Sequence, residues 1–148
     1  MIINKKAKRD YHLYDTLTAG LVLQGQEVKS LRLGRGSLKD AYVKIMDGEA
    51  WLINANIPKY SHSSDHSYDP KRRRKLLLTK KELLSLQTKM KTKNLTLIPL
   101  KLFFHRRWLK LEIALAKGKK EYQKKEAKKR RDLDRETART LKQLSTKY

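Results

Sequence analysis

The chain has 148 residues, enough for one domain and an appendage. Its 37 Lys and Arg against 15 Asp and Glu give a net charge of +22, a self-repulsion that a polyanionic partner relieves. With no cysteine, disulfides and thiolate metal sites are excluded and a reducing cytoplasm fits; no apolar run approaches the roughly 20 residues of a membrane span.

The start, Met1-Ile2-Ile3-Asn4-Lys5-Lys6, lacks the long apolar segment of a signal peptide. Asn4 to Arg9 is a basic arm that fits a solvated terminus and an RNA contact equally well. Tyr11, Leu13, Tyr14 and Leu17 lead into Ala19-Gly20-Leu21-Val22-Leu23-Gln24-Gly25, a strand whose glycines allow close backbone packing. Gln26 to Leu33 is predicted as a short helix with Val28, Leu31 and Leu33 on one side and Glu27, Lys29 and Arg32 mostly elsewhere. Gly34 and Gly36 close it.

A hairpin follows: Ala41 to Met46 and Glu49 to Asn54 flank Asp47-Gly48, the strongest two-residue turn signal. From Lys59 to Arg74 the chain is polar and aperiodic, which predicts a long surface loop ending in Lys71-Arg72-Arg73-Arg74-Lys75. Thr79-Lys80-Lys81-Glu82 is a capping box, and the helix it starts carries Leu83, Leu86 and Met90 on one side with Leu84 beside them. Leu95 to Phe104 reads as a strand despite Pro99, which belongs at an edge or bulge. Leu109, Leu111, Ile113 and Leu115 alternate with Trp108, Lys110, Glu112 and Ala114, a half-buried antiparallel strand. The fold expected is mainly β with short helices: a small closed antiparallel barrel of oligonucleotide-binding type over residues 1–116, with a basic tail over 117–148.

The tail holds 13 Lys and Arg against 5 Asp and Glu, a net +8 that leaves +14 on the body. The body is thus basic in its own right, which argues against a neutral enzyme with a sticky tag. Past Gly118 the composition favours helix, with a thin stripe of Leu133, Thr137, Leu141 and Leu144. So little apolar surface predicts a tail largely disordered when free and ordered on a charged partner. It is also too poor in apolar residues to anchor a membrane. Tyr122, alone among lysines, suits base stacking and an ordinary helix surface equally. His62, Asp65, His66 and Asp69 match no established ligand spacing, so no metal and no cofactor are expected. His12 and His105 have no nucleophile pattern nearby, so catalysis is not expected either.

Asn4-Lys5-Lys6-Ala7, Ala19 to Gly25, Glu27 to Arg32, Asp47 to Ala50, Asp69-Pro70, Arg74 to Leu78 and Ala116 to Lys120 occur in this order, and together they resemble the SsrA-binding protein (SmpB) family of bacterial trans-translation over nearly the whole chain. The resemblance implies an oligonucleotide-binding-like barrel that binds the tRNA-like part of transfer-messenger RNA (tmRNA, SsrA RNA). The family delivers that RNA, charged with alanine, to stalled ribosomes in the cytoplasm. Its tail enters the decoding centre and the empty message channel, where it becomes helical. The implied partners are tmRNA and small-subunit rRNA and, indirectly, elongation factor Tu and alanyl-tRNA synthetase, with the protein a monomer. By the same resemblance Asn4, Lys5, Lys6, Glu27, Lys29, Arg32, Arg74, Lys75, Leu77 and Thr79 face tmRNA. Lys117, Gly118, Lys119, Lys120, Tyr122, Lys124, Lys125, Arg130, Arg131, Arg135 and Leu141 belong to the decoding centre and channel. The chain departs from the family pattern at Thr18, often Glu, at Thr79, often Asn or His, and at Gln123-Lys124-Lys125, often Asp-Lys-Arg; Lys125 keeps a charge but lacks the bidentate fork of Arg. From the residues alone, a structural ribosomal protein bound to rRNA is the alternative.

Overall fold

The structure is a computed structural model that describes residues 1–119 and 121–146, the side chains of residues 121–127 and 146 excepted. It divides into two units, Met1–Lys117 and Gly118–Tyr148. The first contains β1 (Ile2–Ile3), α1 (Ala7–Asp10), β2 (Tyr11–Leu21), α2 (Gly25–Arg32), β3 (Tyr42–Met46), β4 (Glu49–Ile53), β5 (Arg74–Leu77), α3 (Lys80–Lys93), β6 (Thr96–His105) and most of β7 (Trp108–Gly118). The second is α4 (Glu121–Thr146).

The strands run in the order β1-β6-β3-β4-β5-β2-β7, and a further β6–β7 pairing closes six of them into a ring. Closure removes the unpaired edges that an open sheet of this size would expose. Alternation sets what fills it: Leu97, Leu111, Ile113 and Leu115 from β6 and β7 meet Val43, Ala50, Leu52 and Leu76 from β3 to β5 in one core. The β3–β4 turn holds Asp47 at φ 51° and Gly48 at φ 73°, the pair of left-handed residues a two-residue hairpin needs.

Pro99 sits at a register shift between Pro99 and Lys101, because a residue without an N–H cannot continue the ladder with β7. Asn4 uses that irregularity. Its backbone N–H donates to the Leu100 carbonyl at 2.8 Å, and its Nδ2 donates to the Pro99 carbonyl at 2.9 Å. With Ile2 opposite Leu102 and Ala7 buried, the N-terminal arm is built into the barrel wall rather than being a solvated extension.

α3 begins as its sequence dictates: the Glu82 N–H donates to Thr79 Oγ1 at 3.2 Å, and the Thr79 N–H donates to Glu82 Oε2 at 2.9 Å. Leu83 and Leu86 are buried, and Asn94 ends the helix at φ 52°. Thr79→Ala should therefore lower stability by about 1 kcal/mol, read as a urea midpoint shift at constant slope. An unmoved midpoint would mean that α3 does not need its cap.

Two readings from the sequence are corrected. Arg74 belongs to no surface loop: it opens β5 and is fully buried. α2 buries Glu27, Ser30 and Leu31 rather than an apolar stripe, while Leu33 lies outside the helix and is exposed. A buried charge is tolerable only with a partner, and each of these two is the other's.

Candidate nucleic-acid interface

Glu27 anchors a buried polar knot. One carboxylate oxygen accepts from the Gln24 N–H at 2.8 Å and from Arg72 Nη2; the other accepts from Arg74 Nε at 2.6 Å. Arg74 also donates to the Ala55 carbonyl at 2.7 Å, the Pro70 carbonyl at 3.0 Å and Tyr68 Oη at 3.1 Å. Tyr68 Oη lies 2.6 Å from the Ile57 carbonyl, to which it donates. Ser30 Oγ adds a bond to the Pro58 carbonyl at 2.7 Å. Burial alone would push the Glu27 carboxyl up, but the Gln24 amide and the Arg72 and Arg74 guanidinium groups outweigh it and hold the group below its usual value. Burial, and then the Glu27 charge, push the Tyr68 phenol up, so it stays protonated and able to donate.

This knot ties α2 to the long 59–73 connection and the start of β5, and it sets which side chains face outward. Lys29 and Arg32 are exposed on α2, and the Lys29 ammonium lies 5.4 Å from the Tyr60 ring centre. The Arg73 guanidinium lies 4.7 Å from the ring centre of Trp51. Lys75 pairs with Glu49 at 2.9 Å. Leu77 is 56% exposed and stands opposite Gly20, where a Cβ would come within 3.3 Å of it. A bare apolar side chain on a basic surface suits the face of a base or sugar, and the exposed Thr18 and Thr79 lie close by in the chain.

Of the ten residues assigned to tmRNA, the structure thus sets Glu27 and Arg74 behind the surface: neither side chain has area to offer a phosphate, and both act as supports. Asn4 is occupied by the bulge, and Lys6 reaches Asp40 at 3.9 Å. Lys5 is exposed beside the turn that follows α2, where Gly36 at φ 157° lies against the Ile2 side chain. Arg72, Tyr68, Trp51 and Arg73 were missed. Three consecutive arginines at 72 to 74 in a supposed loop, with a lone Glu on a short helix, were the available signal.

In the second unit Lys117 and Gly118 are exposed at the end of β7. α4 runs 26 residues, about 39 Å, with Arg130, Arg131, Arg135 and Leu141 exposed along it. The leucine stripe remains open, Leu133 at 53% and Leu144 at 51% exposed. Lys120 and the side chains of Tyr122, Lys124 and Lys125 lie outside the described residues. Among the described residues no three His, Cys, Asp or Glu come together as metal ligands, and no helix is long and apolar enough to cross a membrane. In the 59–73 connection His62 instead packs edge-on against Tyr60, and Asp65 accepts from Ser67.

The family model described as "SmpB protein" matches residues 1–143. This chain belongs to the SmpB family. Among SsrA-binding proteins, that of Acidothermus cellulolyticus is 51% identical over 93% of this chain and 87% of its own length. The Enterococcus hirae protein is 49% identical over 96% of this chain and 92% of its own. A solved structure described as "tmRNA-SmpB: a journey to the center of the bacterial ribosome" superposes with a TM-score of 0.67 at 43% identity, covering 80% of this chain and 84% of that one. The closed mainly-β body expected from the sequence is the fold of this SmpB neighbour.

Proposed function

We propose that the chain binds tmRNA with its barrel and carries that RNA to ribosomes stalled without a usable stop codon, acting as a non-catalytic delivery factor in the cytoplasm. The family match across residues 1–143, body and most of the tail together, carries this reading. The charge layout supports it: both units are cationic, so two RNA surfaces can be engaged at once. The barrel side takes tmRNA through Lys5, Lys29, Arg32, Lys75, Leu77 and Thr79, with Glu27 and Arg74 holding them in place. The tail from Lys117 onward takes the decoding centre and message channel, entering there as the helix α4. Elongation factor Tu and alanyl-tRNA synthetase meet the complex through the charged tmRNA, and the protein acts as a monomer.

Pull-down of the tagged chain followed by sequencing of the bound RNA tests this directly. tmRNA should dominate the recovered RNA; a profile of small-subunit rRNA alone would sink the reading. A high-salt wash gives the second check. A delivery factor comes off and stays substoichiometric, whereas a structural ribosomal protein remains on every subunit. Lys119→Glu with Lys120→Glu should flatten the salt dependence of ribosome binding, and an unaltered slope would remove both from the phosphate contacts.

A further inference from the structure

The far end of the β6–β7 hairpin presents side chains that none of these assignments uses. His105 pairs with Trp108 across the two-residue turn Arg106-Arg107, with Arg106 held at φ 58°. A turn of this kind usually places Gly or Asn in the left-handed position, so an arginine there is retained against its backbone preference. Cross-strand partners share a face. Leu102 and Leu111 point into the core, so the adjacent pairs Phe103 with Lys110 and His105 with Trp108 form one outward strip. Trp108 is 71% exposed. Lys101 stands 5.4 Å from the Phe103 ring centre and pairs with Glu112 at 3.3 Å, which neutralises that acid on the same outward face. Among the described residues no side-chain hydrogen bond, ion pair or ring contact engages Arg106, Arg107 or Trp108.

A bare indole costs hydration free energy, and two unpaired guanidinium groups beside it exclude a purely apolar or cationic partner. The partner that satisfies both is a polyanion with exposed π faces. The tip also continues the N-terminal arm: Ile3 lies opposite Lys101 and Ile2 opposite Leu102, and His105 at the tip is three residues further along β6. At about 3.3 Å per residue, a strand bound along the arm past Lys5 reaches Trp108 within a few nucleotides.

We propose that the tip of this hairpin is an RNA contact in which Trp108 stacks on an unpaired base of tmRNA while Arg106 and Arg107 grip the flanking phosphates. The assignment of that RNA rests on the function proposed above. The tip adds base selectivity, for unpaired rather than helical nucleotides, to a surface otherwise dominated by charge.

The test is binding of full-length tmRNA by the full chain and its variants at several salt concentrations, with ribosome binding measured alongside. Trp108 is exposed, so Trp108→Ala should melt as the wild type does. It should weaken tmRNA binding on the order of ten- to a hundredfold, with Trp108→Phe recovering most of the loss. Arg106→Gly with Arg107→Ser suits the turn and should reduce the salt slope by about one to two. Trp108→Ala binding tmRNA as tightly as the wild type overturns the proposal. So does a loss confined to ribosomes, which would assign the tip to rRNA. If the wild-type chain itself ignores tmRNA, the broader functional reading falls, and the tip's assigned partner with it.

Discussion

Glu27→Gln should destabilise the barrel by about 3–5 kcal/mol, the largest single-residue effect expected in the body, because it leaves Arg74 charged in the interior without its counter-ion. Urea denaturation at neutral pH measures it, and a loss under 1 kcal/mol would show that the knot contributes little. Replacing both partners, Glu27→Leu with Arg74→Met, should restore only part of the stability, since the Ala55 and Pro70 carbonyls would lose their donor. The same carboxylate predicts a pH dependence. Its value in the fold lies below the ordinary 4.5, so its stabilisation is fully present above that value. It is lost as pH falls through the lower folded value. Glu27→Gln should therefore remove a component of the acid-unfolding curve below about pH 4.5 and leave the neutral and alkaline limbs parallel to those of the wild type.

The second large effect concerns the tail. A chain ending at Lys117 keeps the whole barrel unit, so tmRNA binding should stay nearly intact while peptide tagging on stalled ribosomes is abolished. Parallel loss of both would contradict the two-part division of labour. If about six phosphates are neutralised by the tail, the full chain's affinity for ribosomes should drop on the order of a thousandfold between 50 and 200 mM salt. The truncated chain should show a much shallower fall.

Where local chemistry determines local structure, the sequence was transparent. Asp47-Gly48 specifies its turn, Thr79 and Glu82 specify their helix start, and the alternation from Trp108 to Leu115 specifies its strand. Each signal lies within a few residues of the feature it sets. The buried knot was opaque for the opposite reason: Glu27 and Arg74 are 47 positions apart, and each alone reads as a solvated charge. The arm was opaque in the same way, since Asn4 finds its acceptors 95 residues away in a bulge that exists only because of Pro99. Half the residues assigned to RNA by resemblance are exposed side chains, and their positions follow from strand and helix faces. For Glu27 and Arg74 the resemblance implied RNA contacts, while composition gave no hint that both side chains are buried. The Arg106-Arg107 turn carried no glycine and so gave no turn signal.

The pairing of Ile2 with Leu102 has a consequence for biosynthesis. Residues made first cannot dock until β6, more than ninety positions later, has left the exit tunnel. Until then the arm lacks its partner strand, whereas β2 can already pair with β5 and the β3–β4 hairpin can form from near contacts. The nascent protein should thus acquire its middle before its beginning, and the basic arm should lock late, together with the closing strand β7.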